Sequence, residues 1–292
     1  MYIRLAVKCN CIRERKLRPF PEKFRPYVRF DDNIIYLDDT ENSTLVKGGR
    51  NDRSKTMEEE PEQIDPEWVE WCENGCEHEN GFHASSVTIG PKTRLLPLIT
   101  MLEKMQQAGL QNFLSAVDCS EPIELTPESV AECLIELYQF KSNFPAVSGT
   151  VVKDELSGTV VDILMGDGSK PLYSCETYQI GYDRDGLWAT RSGLPGNVPE
   201  ILFHSSHFRQ DLLPYFTGLL EDKASGEYLE IRQPVFPLEN NTYPQEVTIR
   251  YRELSPSDFD YLTRPYEQAF KASIATGNPV KIQCDKSAID LE

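Results

Sequence analysis

The chain has 292 residues, 39% of them apolar, and a formal net charge of -17. At this length folding buries about 75% of the unfolded chain's surface, so a real core can form. An acidic surplus argues against bare nucleic acid or an anionic membrane as partner, because both require clustered Lys and Arg; a basic protein partner suits it better.

The charge is segregated. Residues 1–29 hold nine Lys or Arg against two Glu, whereas residues 56–91 hold ten acids and no Lys or Arg; such runs are expected to form solvated surfaces. The N-terminal stretch MYIRLAVKCNCIRER lacks the apolar segment of a signal peptide, and no run reaches the ~20 apolar residues of a membrane helix. A cytoplasmic location is expected, and with it reduced thiols for the eight cysteines.

YIRLAVKCNCI alternates apolar and polar residues, which predicts a half-buried strand with Ile3, Leu5, Val7, Cys9 and Cys11 on one face. NIIYLDD predicts a second short strand, and residues 40–64 then lose periodicity and read as a mobile, acidic loop. Asp65-Pro66-Glu67 is a helix start, combining a capping carboxylate, a first-turn proline and an acid at the positive end of the dipole. That helix is expected to stop near Glu73, with Gly75 as a left-handed cap. SSVTI predicts a strand. A helix from Leu96, closed near Gly109, and another from Thr126-Pro127-Glu128 follow, the latter with Val130, Cys133, Leu134, Leu137 and Tyr138 along one stripe.

From residue 147 the texture changes to short alternating strands. Hairpins are predicted around Ser157-Gly158 and Asp185-Gly186, with further strands at EILFHSSH, EYLEIRQ and EVTIRYREL. Ser255-Pro256-Ser257-Asp258 is a capping-box signature that opens a last helix through Phe259, Leu262, Tyr266 and Phe270, followed by a strand at NPVKIQCD. The expected fold is therefore α+β. A mixed region over 1–146 with two or three helices precedes a mainly antiparallel β region over 147–292 with a closing helix, with one intertwined domain as the alternative.

The densest chemistry lies in WCENGCEHENGFH, residues 71–83. Cys72, Cys76, His78 and His83 are the thiol and imidazole ligands that zinc prefers, and C-x3-C lies within structural zinc spacing. Cys9 and Cys11 could complete the site if the first strand lies beside this loop. Against this, strand alternation puts Cys9 and Cys11 among apolar neighbours, Cys72 follows Trp68 by one helical turn, and no zinc-finger, H-E-x-x-H or deaminase pattern is present. A metal here is expected to be structural.

Other candidates are weaker. His204 and His207 fall in a strand pattern that points them apart, and a Cys175 nucleophile with His204 as base has no supporting motif. YDRDG lacks the later ligands of a calcium loop, and GPKT lacks the glycines of a phosphate loop. The reading that follows is a non-enzymatic acidic protein that binds a basic protein partner, in the manner of an inhibitor of a nuclease toxin, with a structural zinc site. The alternative is a metal-dependent enzyme centred on Cys72, Cys76, His78 and His83.

Overall fold

The computed structural model describes residues 2–31, 34–37, 65–78, 81–105, 109–191, 200–213, 217–238 and 242–285. The loop expected over 40–64 lies outside them.

The first strand is β1 (Tyr2–Lys8), with Ile3, Leu5 and Val7 fully buried. Next come β2 (Val28–Asp31) and β3 (Ile34–Leu37), an antiparallel pair, and helix α1 (Pro66–Asn74). Asp65 caps α1 as expected, its carboxylate accepting the Glu67 N–H at 2.9 Å. Gly75 is not a left-handed cap: its φ is -70°. The glycine is needed for close approach, since a Cβ there would lie 2.7 Å from Phe82 Cζ and 2.8 Å from the Trp71 carbonyl.

Strand β4 (His83–Pro91) leads into α2 (Leu96–Lys104), α3 (Gln111–Val117), the short β5 (Ile123–Leu125) and α4 (Pro127–Ser142). Helix α2 stops at Lys104, with Met105 at its cap, before the glycine expected to close it. On α4 the buried stripe is Val130, Cys133, Leu137 and Phe140; Tyr138 faces out.

A series of antiparallel strands follows: β6 (Ser148–Asp154), β7 (Val160–Met165), β8 (Ser169–Ser174), β9 (Tyr178–Asp183), β10 (Gly186–Arg191), β11 (Ile201–Ser205), β12 (His207–Leu212), β13 (Gly218–Asp222), β14 (Tyr228–Ile231) and β15 (Glu246–Glu253). The capping box at Ser255 and Asp258 is formed, and a 3₁₀ turn over Pro256–Phe259 runs into α5 (Asp260–Thr276); Phe259 of the turn and Leu262, Tyr266 and Phe270 of the helix are fully buried. The last strand is β16 (Val280–Asp285). The α+β class and the helix after the β-rich region are as expected.

The chain forms two compact units, each discontinuous in sequence. One comprises residues 1–89, 119–132 and 265–292; the other comprises 90–118 and 133–264. In the first, the sheet runs β4-β1-β16-β5, so the last strand pairs with the first, Ile3 opposite Cys284 and Val7 opposite Val280. In the second, sheets β11-β10-β9-β8 and β14-β13-β12-β15-β6-β7 share one apolar core that includes Val152, Ile180, Tyr182, Leu187, Phe203 and Phe208. A core shared by two antiparallel sheets accounts for the short alternating runs in this part of the sequence. No helix among the described residues is long and apolar enough to cross a membrane.

Candidate metal centre

Strand β1 ends at Lys8, and its alternation does not extend to the two cysteines that follow. The chain curls instead: the Glu14 N–H donates to the Asn10 carbonyl at 2.8 Å and the Lys16 N–H to the Cys11 carbonyl at 2.9 Å, with Arg15 at a left-handed φ of 58°. This turn is clamped from several directions. The Cys9 N–H donates to the Phe82 carbonyl at 3.0 Å, and the Arg18 N–H to the Gly75 carbonyl at 2.9 Å. Asn278 Nδ2 donates to the Lys8 carbonyl and to Asn10 Oδ1, both at 2.8 Å.

The other half of the site leaves α1. Trp68 and Trp71 on its buried face stack at 5.3 Å, Phe20 lies 4.2 Å from Trp71, and the Trp71 indole N–H donates to the Pro19 carbonyl at 3.2 Å. This aromatic cluster, which also takes in Phe24 and Phe82, fixes where the helix ends and so where Cys76 and His78 begin. The Cys76 thiol is held by a 3.0 Å hydrogen bond to the Gly81 carbonyl.

The two turns meet. One donor atom from each of Cys9, Cys11, Cys76 and His78 can be chosen so that all four lie within 4.8 Å of one another. His78 Nδ1 is 3.4 Å from both Cys11 Sγ and Cys76 Sγ. With zinc bonds of ~2.3 Å to sulfur and ~2.05 Å to nitrogen, a tetrahedron has S···N edges of about 3.6 Å and S···S edges of about 3.8 Å. The two S···N distances of 3.4 Å would open slightly to enclose an ion, and any pair near the 4.8 Å limit would close by about 1 Å. All three cysteines are buried, with Leu17, Phe82 and Ala84 packed around them, while His78 is half-buried.

Burial first, and then the neighbouring Cys9 and Cys76 sulfurs, push the Cys11 thiol up to about 12. Burial also raises Cys76, against the opposing pull of the His78 backbone N–H. Crowded thiols of this kind keep their protons unless a cation shares the space, and a bound divalent ion reverses the balance by taking thiolates as ligands. The exposed cations of the adjoining turn, Arg13, Arg15, Lys16 and Arg18, suit the negative charge that three thiolates leave around a divalent ion.

The predicted set is thus partly regrouped. Cys76 and His78 are in the cluster, joined by Cys9 and Cys11. Cys72 lies against the tryptophan cluster, where burial and the Glu73 charge raise its thiol to about 11, and His83 opens β4; neither belongs to the group. The signal that could have found the site is a pair of i, i+2 ligand motifs, Cys9-x-Cys11 and Cys76-x-His78.

The remaining candidates lie elsewhere in the fold. His204 lies on β11 opposite Trp188, and His207 Nε2 is 2.8 Å from Glu246 Oε1. Cys175 Sγ faces Thr177 Oγ1 at 3.4 Å. Asp183 and Asp185 bracket the β9–β10 turn, where the Asp185 N–H donates to Asp183 Oδ1. No protein-family model, curated protein or solved structure matches the chain.

Proposed function

We propose that Cys9, Cys11, Cys76 and His78 hold a zinc ion in a structural role, and that the chain is a non-enzymatic protein whose negative charge draws a basic protein partner. The observation that carries the first part is the convergence of three sulfurs and one imidazole from two turns some 65 residues apart, Cys11 and His78 being 67 positions distant in sequence. Three cysteines and one histidine are a structural zinc set, and four protein ligands leave no open coordination position for substrate.

The same count weighs against the enzymatic alternative. A cavity of ≈ 590 Å³ is lined by Lys153, Glu155, Arg250, Arg252, Asp258 and Arg264 among others, and none of the four metal-site residues is in its walls. Partner binding is supported by the net charge of -17. Complementary charge accelerates encounter and fixes orientation, and salt screens it.

Stopped-flow association with purified basic proteins tests this part. A binding partner whose association rate falls tenfold or more between about 0.05 and 0.5 M salt is expected. A panel in which nothing binds, or binding indifferent to salt, contradicts it.

A further inference from the structure

Two cysteines outside the metal centre face each other. Cys119, in the turn between α3 and β5, and Cys284, on β16, are 6% and 8% exposed, and their Sγ atoms are 3.4 Å apart. The Cys284 thiol also points at the Cys119 carbonyl, 3.8 Å away. We propose that Cys119 and Cys284 form a redox pair that closes to a disulfide on exposure to a hydroperoxide.

The geometry needs little change. A disulfide places its sulfurs about 2.05 Å apart, so closure requires an approach of about 1.4 Å, within reach of side-chain torsions. Both backbones are already fixed. Cys284 is paired opposite Ile3 in the β1–β16 ladder, and Asp118, the residue before Cys119, caps α3 with its N–H donating to the Leu114 carbonyl at 2.8 Å. The inference is independent of the zinc reading, since neither thiol belongs to that cluster.

In the first step one thiolate attacks an oxygen of the hydroperoxide. The O–O bond breaks, the alcohol (or water, from hydrogen peroxide) leaves with a proton, and the sulfur becomes a sulfenic acid. The second sulfur then attacks the first: the S–S bond forms, the S–O bond breaks, and the hydroxyl leaves as water with the proton of the second thiol. The two sulfurs together lose two electrons and the peroxide gains them. A small oxidant suits the low exposure of the pair, and a thiol reductant restores it.

The bridge would join positions 165 residues apart and fasten β16, which lies between β1 and β5, to the turn after α3. Cross-linking residues so distant restricts the unfolded chain strongly, so the oxidised form should be the more stable.

The test uses the full chain as purified, treated with hydrogen peroxide, alkylated, and digested without reductant. Mass spectrometry should find the Cys119 peptide joined to the Cys284 peptide, with the intact mass lower by two hydrogens and both changes reversed by dithiothreitol. The thermal midpoint should rise by about 5–10 °C on oxidation, and C119S and C284S should each lose that rise. The linked peptide is read on the unaltered chain, so the result does not hinge on either variant folding. Recovery of both cysteines separately alkylated or separately over-oxidised, or links that join only other cysteines, would overturn the proposal.

Discussion

Cys72 and Cys76 are one helical turn apart in the sequence and end in different chemistry. Cys72 is still on α1 and turns its sulfur to the tryptophan cluster, whereas Cys76 lies beyond the helix end, where the chain has already changed direction. Substitution should separate them. C11S and C76S are expected to lower zinc affinity by at least 100-fold in a competition titration with a chromophoric chelator, while C72S and H83A keep one zinc per chain. Loss of zinc from C72S or H83A together with its retention in C76S would restore the grouping expected from residues 71–83 alone. The described geometry groups a different set for a physical reason. Alternation carried the first strand through Cys11, which would have spent Cys9 and Cys11 on the sheet core, but the strand stops at Lys8 and frees both for the turn.

Elements with local punctuation were legible, and those stabilised from elsewhere in the chain were not. Asp65, the Ser255 to Asp258 box and the glycine turns at 158 and 186 announced α1, α5 and two hairpins. Helix α3 gave no signal because its cap comes from another helix: buried Glu136 on α4 accepts the Phe113 N–H at 2.7 Å and the Asn112 side-chain amide at 2.8 Å. Strand β8 was masked by Pro171, which an edge strand tolerates, and β5 has only three residues. Glu136→Ala should cost about 1–3 kcal/mol in urea unfolding, through the two hydrogen bonds it removes. G75A should cost a similar ~1–3 kcal/mol, because Phe82 and the Trp71 carbonyl occupy the space a methyl needs. A G75A chain as stable as the parent would remove close approach as the reason for this glycine.

For the whole molecule, the sequence revealed the change of texture near residue 147 but not the return of β16 to pair with β1, since pairing across the full chain leaves no local trace. Its acid stability has an identifiable contributor in Asp258. Burial raises that carboxyl, but Arg252, whose guanidinium makes bonds of 2.8 and 2.5 Å to it, and the Ser255 N–H and hydroxyl together bring it below the ordinary value of 3.8. A depressed carboxyl contributes stability above its unfolded pKa, and that contribution is lost as pH falls through the folded one. The thermal midpoint of D258N should therefore be lower than the parent's at neutral pH, and the gap should narrow as pH drops below about 4. A gap of constant size across that range would show that the ionised form makes no such contribution.

Zinc, in turn, should tie the residue scale to the molecular one. A strong chelator is expected to lower the thermal midpoint of the intact chain, because an ion held by the four ligands would stabilise only the state in which both turns are formed. The most direct test of the account is X-ray absorption at the zinc edge on protein purified without chelators, with metal content measured on the same sample. One zinc per chain with three sulfurs at about 2.3 Å and one nitrogen at about 2.0 Å is predicted. A chain that retains no zinc, or a first shell of nitrogen and oxygen alone, would contradict it.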